Sequence, residues 1–343
     1  MTSLARRLGW SVVVVWAVVS LSFVIDDILP GDPILMAAGA QARPTDVARI
    51  REQLGLDRPP IVQYALFWRR LLHSARSGPE RSLDRAGARA NAHADCAAIV
   101  TLGGWSLHVN LGRSYQLRQP VVLAVASRLP RTFALAFSGV LLQLLFGIAL
   151  GVAGAVRAGS LIDRVLLGST LLAVSTPTFL IALALQYVLA YELGWLPLDG
   201  FGATFAEHAR CLVLPALTLG IYGAAYYARL VRDEMIIALR QDWVRTARAK
   251  GASAWRVVVG HGLRNVLVPI VTAVGLDFGA LMGGAMVTET VFRWPGLGEL
   301  SVRAMLNRDG PVILACVIVT ALAVVASNLL VDVIYTTLDP RVR

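Results

Sequence analysis

Long apolar stretches with almost no charged residues dominate the pattern of the sequence. Five of them contain no Asp, Glu, Lys or Arg, and a sixth contains Asp277 alone. Each reaches the roughly 17 residues that a helix needs to cross a bilayer, and a helix satisfies its own backbone hydrogen bonds in lipid. The pattern therefore predicts an all-α, polytopic membrane protein with six transmembrane helices. The six segments are Leu8–Ile25, Thr132–Val156, Val165–Tyr191, Cys211–Ala228, Val266–Thr288 and Gly310–Val331.

Two of the six segments are not assigned by hydropathy alone. Cys211–Ala228 is the weakest prediction, because it is short and Pro215 interrupts it. The first segment follows Arg6 and Arg7 as a signal peptide would, but its apolar run exceeds the usual 7–15 residues or so of such peptides. Acidic residues also separate this run from the small residues around Gly39 that could be cleaved. An uncleaved membrane anchor is the better interpretation.

Composition and charge agree with a membrane protein. Of the 343 residues, 56% are hydrophobic and 16% are charged, whereas soluble domains carry about 25% charged residues. An ordinary soluble enzyme is therefore excluded. The formal net charge of +10 follows membrane topology, because fourteen basic residues lie in segments predicted to be cytoplasmic and four in short outer loops. This distribution predicts that both termini are cytoplasmic, and a nucleic-acid partner is not required.

The loops suggest a division into three parts. Residues 1–29 form the N-terminal tail and first transmembrane helix, and residues 30–131 form an extracytoplasmic loop. Residues 132–343 form a five-helix core that includes a cytoplasmic loop at 229–265. Within the outer loop, Arg76–Ala98 lacks helical or strand periodicity, so an insertion near 74–109 is predicted to be mobile.

The cytoplasmic loop predicts a helix–turn–helix. A first helix over Arg232–Lys250 places Ile236, Leu239, Trp243 and Ala247 on one face. Gly251 is suited to end it, and Ser253 is suited to cap a second helix that runs through Trp255. Two interpretations remain open at this point. The hairpin either rests on anionic lipid or docks on another protein, with Trp243 and Trp255 as buried anchors.

Several motifs together resemble one family, the ABC-importer permeases of the dipeptide/oligopeptide/nickel type, in their B-type subunit. The cytoplasmic loop is similar to the family's EAA loop, from Asp242-Trp-Val-Arg-Thr-Ala-Arg-Ala-Lys-Gly251-Ala-Ser253 to His261-Gly-Leu-Arg-Asn265. Further matching motifs are Leu29-Pro-Gly-Asp-Pro33, Leu111-Gly-Arg-Ser114, Arg128-Leu-Pro130, Ser175-Thr-Pro177-Thr-Phe179, Thr288-Glu-Thr-Val-Phe-Arg-Trp-Pro-Gly-Leu-Gly298 and Arg308-Asp309-Gly-Pro311.

The sequence departs from this family in four places. Arg245 and Thr246 stand where the general EAA motif has glutamate and its first alanine. Asn110 stands where an aspartate is expected, and Asp277 where a neutral amide is usual. The stretch between His73 and Asn110 has no counterpart in the family.

The resemblance implies a type I ABC-importer permease fold in a bacterial inner membrane. It implies a second homologous permease, two ATPase subunits, an extracytoplasmic solute-binding protein and the lipid bilayer as partners. It also implies that the cytoplasmic loop couples to the ATPases. The coupling residues carried over from the motif are Asp242, Arg245, Thr246, Ala247, Arg248, Gly251, Ser253, Trp255, Arg256, His261 and Asn265.

The chain is not expected to supply the ATP chemistry itself. A phosphate-binding loop needs Gly-Lys-Ser/Thr, but Lys250 is the only lysine and Ala249 precedes it. We therefore expect ATP and Mg²⁺ on partner subunits, and no catalytic residue, metal or cofactor in this chain. Ser253 and His261 superficially suggest a hydrolase, but they lie in the basic hairpin.

The predicted function is import of dipeptides or oligopeptides. Nickel or another small solute is the closer alternative, since the family includes nickel importers. A secondary carrier is the more distant alternative, because it would need ionisable groups at mid-depth and inverted repeats.

Two further sets of residues are candidates for contacts. Asp277 would cost about 2.5–3.5 kcal/mol in lipid at mid-depth, so it faces protein or a watery pathway. A translocation role and a structural hydrogen bond to a neighbouring subunit both remain open. Outside the membrane, Glu289, Trp294 and Gly296 are candidates for contact with the binding protein, and a simple turn-rich connection is the alternative.

Overall fold

A computed structural model describes residues 2–28, 43, 45, 58–76, 96–102 and 105–338 of the chain. Helices make up most of this part, which confirms the predicted helical class. The helices are α1 (Thr2–Ile28), α2 (Pro60–Leu71), α3 (Val121–Val156), α4 (Leu161–Ser175), α5 (Thr178–Leu185), α6 (Phe205–Leu239), α7 (Asp242–Ala249), α8 (Leu263–Met282), α9 (Met286–Val291), α10 (Leu297–Leu306) and α11 (Gly310–Leu338). Two π-helical segments, Gln186–Glu192 and Arg256–Gly262, follow α5 and precede α8.

Three helices are long and apolar enough to cross a membrane by themselves, namely α3, α6 and α11. Two bent pairs raise the number of candidate spans to five if each pair is one span: α4 with α5 and its π-helical extension, and the second π-helical segment with α8. In α1, the apolar stretch Gly9–Val24 is shorter. The chain is thus multi-pass, while the count of six and the cytoplasmic termini stay predictions.

The predicted single helix Val165–Tyr191 is wrong in its geometry. The chain bends by 102° between α4 and α5. Thr176 is extended, and Pro177 has no N–H to continue the ladder of hydrogen bonds, so a new helix begins after it. The span is therefore broken at the motif that the sequence marks as Ser175-Thr-Pro177.

The boundary of the fourth predicted span is also wrong. Instead of ending at Ala228, α6 begins at Phe205 and continues to Leu239, with Pro215 buried inside it. Thr204 and Glu207 form a capping box at its start. The predicted helix over Arg232–Lys250 is divided in two, because its first part belongs to α6 and its second part is α7.

The chain packs as two compact units, residues 1–129 with 300–321 and residues 130–299 with 322–343. In the first unit, Tyr64 of α2 packs edge-on to Phe23 of α1 at 5.5 Å, and the hydroxyls of Ser20 and Tyr64 lie 2.6 Å apart. Asp309, at the start of α11, accepts a 2.5 Å hydrogen bond from the Ser114 hydroxyl. The two short motifs around Ser114 and Asp309 therefore meet within this unit.

The first unit also contains a small antiparallel sheet with the order β1-β3-β2. Its strands are β1 (Leu72–Arg76), β2 (Cys96–Leu102) and β3 (Trp105–Asn110). In β3, Val109 is opposite Leu72 and Ala97. The prediction that the insertion lacks strands is thus wrong at both of its ends, while residues 77–95 lie outside the described part.

In the second unit, glycines allow α3 and α6 to pack closely. A Cβ on Gly139 would lie 3.1 Å from the Cβ of Leu219, and one on Gly151 would lie 2.7 Å from the carbonyl oxygen of Ala228. Between them, Gly147 lies against Tyr227. Residue numbers rise together on both helices, so the two helices are parallel. This direction agrees with the predicted topology, in which both run inward, and small residues such as Gly147 and Gly151 are typical of close contacts between membrane helices.

The helices α8 and α11 form the antiparallel counterpart of this packing in the second unit. Gly275 lies against Val331, and a Cβ on Gly279 would lie 3.1 Å from the Cα of Val324. Residue numbers fall on α11 as they rise on α8, as two consecutive spans require. Gly275 and Gly279 thus allow α8 and α11 to pack closely.

Candidate functional site

The turn of the cytoplasmic hairpin is built around Gly251. This glycine has φ of +79°, a left-handed conformation that disfavours residues with a side chain. Its N–H donates to the carbonyl of Arg248 at 2.9 Å, and the N–H of Ala252 donates to the carbonyl of Ala247 at 3.1 Å. These two bonds form a Schellman motif that closes α7. The predicted end of the helix at Gly251 is thereby confirmed.

The second arm of the hairpin begins at Ser253. The Ser253 hydroxyl accepts a 3.4 Å hydrogen bond from the N–H of Arg256, and the Ser253 carbonyl accepts one of 3.0 Å from Val257. A short helical turn then passes into the π-helical segment and on into α8. The hairpin is therefore joined to α8 by continuous helix, so no flexible linker separates the loop from the membrane segment.

The two tryptophans of the hairpin face different surroundings. Trp243 packs on the cluster of buried residues that includes Met235 and Val266, and its ring lies 5.9 Å from that of His261. Trp255, by contrast, is 75% exposed. The expectation that both tryptophans anchor a partner is therefore wrong for Trp243, which anchors the hairpin to its own unit. Trp255 is thus the tryptophan of the hairpin that the structure leaves exposed.

Most of the predicted coupling residues lie on the open side of the hairpin. Ala247 is half-buried, and the backbone of Asn265 lies in α8. The side chains that the structure leaves exposed are those of Asp242, Arg245, Thr246, Arg248, Ser253, Trp255, Arg256 and His261. The structure thus brings together an exposed, mainly basic and aromatic surface, which is the chemistry that a partner with an acidic, grooved face would match.

A buried ion pair lies next to the hairpin, and the sequence reading missed it. In α6, Arg232 donates to the Asp163 carboxylate through Nε at 2.6 Å and through a terminal nitrogen at 2.8 Å. Asp163 also accepts from the N–H of Gly159 at 2.8 Å, and Ser160 caps α4. The pair joins the start of α4 to the end of α6. In the sequence, the spacing Ser160-x-x-Asp163 was the signal that could have pointed to this ion pair.

On the outer side, Glu289 is fully buried and serves as an internal clamp. Its carboxylate accepts hydrogen bonds from the Thr132 hydroxyl at 3.1 Å and from the N–H of Glu299 at 2.9 Å. The Thr132 hydroxyl in turn accepts from the N–H of Leu297 at 2.7 Å. Burial raises the pKa of the Glu289 carboxyl above its ordinary value, although these hydrogen bonds act in the opposite direction.

The other two candidates for contact with a binding protein are internal as well. Trp294 is buried and donates its indole N–H to the carbonyl of Arg131 at 3.1 Å. Gly296 packs so closely on Glu289 that a Cβ would collide with the carboxylate. The prediction that Glu289, Trp294 and Gly296 present a contact surface is therefore corrected: these residues hold the segment on α3, while the neighbouring Thr290 and Arg293 are exposed.

Asp277 has a partner within the chain. The hydroxyl of Tyr227 on α6 donates to its carboxylate at 3.4 Å, and the Tyr227 side chain is buried. The interpretation of Asp277 as an isolated acid is therefore wrong, and a hydrogen bond to a neighbouring subunit is not needed to satisfy it. Asp277 itself is only half-buried.

The described residues contain no group of three or more His, Cys, Asp or Glu side chains arranged to hold a metal ion. Cys211 and Cys316 are both in the thiol form and are not joined in a disulfide. Nickel selectivity therefore gains no support from the described part of this chain.

Comparison with protein families gives two matches that together cover most of the chain. Residues 143–343 match the family described as "Binding-protein-dependent transport system inner membrane component". Residues 1–82 match the N-terminal region of such membrane components.

Similar proteins and structures point the same way. The chain is 37% identical over 343 residues to a putative peptide transport system permease protein of Brucella abortus (strain 2308), covering 98% of each chain. It is 37% identical over 323 residues to a glutathione transport system permease protein of Salmonella paratyphi A, covering 94% of this chain and 92% of that one. In fold, a chain of the inward-facing MetNI methionine ABC transporter has a TM-score of 0.55 at 17% identity, covering 64% of this chain and 98% of that one.

Proposed function

Because this chain belongs to the family of binding-protein-dependent transport system inner membrane components and is a permease subunit of an ABC importer, we propose that its solutes are dipeptides or oligopeptides. The observation that carries the peptide assignment is the likeness, over nearly the whole chain, to permeases named for peptide and glutathione transport. Both kinds of solute are short chains joined by amide bonds.

The ATP-dependent step belongs, in this proposal, to two separate ATPase subunits. The chain offers no Gly-Lys-Ser/Thr loop for phosphate, since Lys250 is its only lysine. A second permease would complete the pathway, and an extracytoplasmic binding protein would deliver the solute. This chain then supplies half of the pathway and the surface on which an ATPase acts.

The hairpin is the proposed contact with the ATPase. Trp255 supplies an exposed aromatic anchor of the kind that dominates interface energetics, and Arg245 and Arg256 lie exposed on the same hairpin. A cleft with acidic residues on the ATPase would complement them. Closure of the ATPase pair on ATP would then displace the hairpin.

The packing explains how such a displacement would reach the membrane helices. On the inner side of the hairpin, Trp243 and Val258 pack on the core cluster that contains Met235 of α6 and Val266 of α8. The ion pair of Arg232 and Asp163 then ties α6 to α4. Close-packed interiors transmit displacement because they cannot be compressed, so the hairpin would move several membrane helices together.

A transport assay with the assembled importer tests the peptide assignment. The chain would be purified with its permease, ATPase and binding-protein partners and reconstituted in proteoliposomes containing ATP. We expect uptake of trialanine that stops when ATP is omitted. Uptake of Ni²⁺ without any uptake of peptides would contradict the assignment, and peptide uptake driven by a proton gradient in the absence of ATP would contradict the importer mechanism.

The Gly251→Val variant tests the coupling hairpin. A β-branched residue at φ of +79° introduces strain of about 1–3 kcal/mol, which disturbs the turn between α7 and Ser253. We expect ATP hydrolysis to continue while trialanine uptake per ATP falls by roughly 5-fold or more, the equivalent of that strain. The matched control is Gly194→Val, a position on the outer side with φ of +62° and nothing within 4 Å of the added Cβ. Equal uptake per ATP in the Gly251→Val variant and the wild type would contradict the role of the hairpin.

A further inference from the structure

Among the three helices that can each cross the membrane alone, α6 is the most enclosed. In its apolar window, 61% of the residues are buried, compared with 33% in α3 and 22% in α11. A helix that other helices of its own chain surround so fully exposes little surface to lipid. The few exposed positions on α6 therefore indicate the surroundings of the one face that its own chain does not cover.

Open positions in the inner half of α6 form a polar stripe, which is followed one turn beyond Asp233 by the exposed, apolar Ile237. Tyr222 and Tyr226 are 41% and 52% exposed, Arg229 is half-buried and Asp233 is exposed. Their spacing of four, three and four residues places them on one face of a helix. Residues that flank the stripe, such as Ala225, are buried. We call Tyr222, Tyr226 and Arg229 the polar stripe, since Asp233 forms an ion pair with Arg232.

The open face of α3 has the opposite character. Phe133, Phe137, Leu141 and Leu145 are exposed at intervals of four residues, and all four are apolar. Such a face suits contact with lipid tails. Polar side chains inside a membrane segment, such as Tyr222 and Tyr226, usually face the bundle interior or a water-filled cavity, because their exposure to hydrocarbon is costly. The polar stripe of α6 therefore does not suit a lipid-facing position.

The packing of α6 on α3 places part of this stripe near the middle of the membrane. Leu144 is the central residue of the apolar segment Thr132–Val156. On either side of it, Gln143 packs on Gly223 and Gly147 packs on Tyr227. Tyr222 and Tyr226 lie next to these two contacts in the sequence of α6. Tyr222 and Tyr226 are therefore at about the middle of the membrane, a depth that any transported solute must pass.

Asp277 extends the same polar region onto α8. Its carboxylate accepts the hydrogen bond from Tyr227, and the Tyr227 ring lies edge-on to the Tyr226 ring at 5.4 Å. Asp277 remains half-buried despite this bond, so part of its surface is available to another group. Tyr226 and Asp277 are thus both in contact with Tyr227, and Arg229 follows Tyr226 by one turn of α6.

We infer that Tyr222, Tyr226 and Arg229, together with Asp277, line the solute pathway and contact the transported peptide. This inference rests on the proposed peptide function. The Asp277 carboxylate matches the ammonium group of a peptide and Arg229 matches its carboxylate, while the tyrosine hydroxyls can hydrogen-bond to its amides. From Tyr222 to Arg229 the helix rises by about 10 Å, which is roughly the length of three extended residues.

Labelling of introduced cysteines tests whether the stripe meets water and solute. Cys96, Cys211 and Cys316 would be replaced by alanine in the assembled importer, and Tyr226→Cys or Phe137→Cys would then be introduced. We expect a charged methanethiosulfonate reagent to label the Tyr226→Cys variant and trialanine to slow that labelling. The Phe137→Cys variant, on the apolar face of α3, serves as the matched control and is expected to remain unlabelled.

The outcomes separate the inference from the proposed function. An importer that takes up trialanine but leaves the Tyr226→Cys variant unlabelled, both without nucleotide and with ATP, would overturn the inference and leave the function standing. Labelling that trialanine does not slow, in an importer that does transport trialanine, would overturn the peptide contact. If the wild-type importer fails to transport any peptide, the proposed function fails, and labelling of Tyr226→Cys would still support the pathway.

Uptake kinetics give a second readout that a purely structural role would not change. We expect Tyr226→Ala to raise the KM for trialanine about tenfold, the effect of losing about 1.4 kcal/mol of binding, with the melting temperature unchanged. Tyr226→Phe should show an intermediate KM, because it keeps the ring and loses the hydroxyl. A lower melting temperature with an unchanged KM would overturn the assignment of Tyr226 as a contact residue.

Discussion

At the scale of single residues, Thr132 carries an unusual number of contacts for a small side chain. Its hydroxyl donates to the buried carboxylate of Glu289 and accepts from the N–H of Leu297. Thr132→Val keeps the shape and removes both hydrogen bonds, so the buried Glu289 carboxylate loses one of its hydrogen bonds. We expect destabilisation by about 1–3 kcal/mol, measured as a lower melting temperature of the purified permease complex.

The control for this substitution is Thr290→Val on α9. Thr290 is exposed, and its hydroxyl donates only to the carbonyl of Met286 one turn earlier. An equal fall in melting temperature in the Thr132→Val and Thr290→Val variants would contradict the stabilising role of the Thr132 hydrogen bonds. Transport by both variants at permissive temperature should stay near that of the wild type.

The motif from Thr288 to Gly298 shows what sequence could and could not predict at this scale. The residue types of this motif indicated a functional segment, but we predicted from the sequence that Glu289 and Trp294 face outward. Their partners Thr132 and Arg131 are far away in the sequence, so nothing local revealed that the carboxylate and the indole are turned inward. Gly251 was correctly predicted because a helix end is encoded within a few neighbouring residues.

At the scale of elements, the glycine seam between α3 and α6 determines how closely two spans approach. A methyl group added at Gly151 would lie 2.7 Å from both the carbonyl oxygen of Ala228 and the Cβ of Val231. Gly151→Ala is therefore expected to separate the helices and destabilise the permease by about 1–3 kcal/mol, as overpacking usually does. Thermal unfolding in detergent measures the effect.

The matched control for the seam is Gly168→Ala on α4. No atom lies within 4 Å of a Cβ at this position, so the added methyl meets no neighbour there. The favourable helix propensity of alanine should leave the stability unchanged or slightly higher. Unfolding of the Gly151→Ala variant at the same temperature as this control would contradict close packing of α3 on α6.

Element boundaries were less predictable than the existence of the elements. Hydropathy marks only the apolar part of α6, which continues beyond it through Arg229 and Arg232 to Leu239. Arg232 in this extension pairs with Asp163 on the neighbouring α4, and hydropathy does not detect such pairing. The 102° bend at Pro177 was not predicted, because hydropathy gives the length of the apolar stretch and not the direction of the chain.

At the scale of the whole molecule, the central claim concerns the division of labour between this permease and an ATPase. The absence of a phosphate-binding loop and the presence of an exposed hairpin were both readable from sequence. The sequence did not reveal which of the two tryptophans, Trp243 or Trp255, is exposed, because both lie on amphipathic helices at positions where an exposed anchor could be expected. Trp243 packs on the cluster that contains Met235 and Val266, so Trp255 is the tryptophan that remains exposed.

The most direct test of this claim is photo-crosslinking from position 255 in the assembled importer. A photoreactive phenylalanine analogue would replace Trp255, or, as the control, the exposed Trp195 on the outer side. We expect a crosslink from position 255 to the ATPase, with a yield that changes when ATP is added. We expect no crosslink from position 195 to the ATPase. An importer that turns over ATP but gives no ATPase crosslink from position 255 in any nucleotide state would contradict the account.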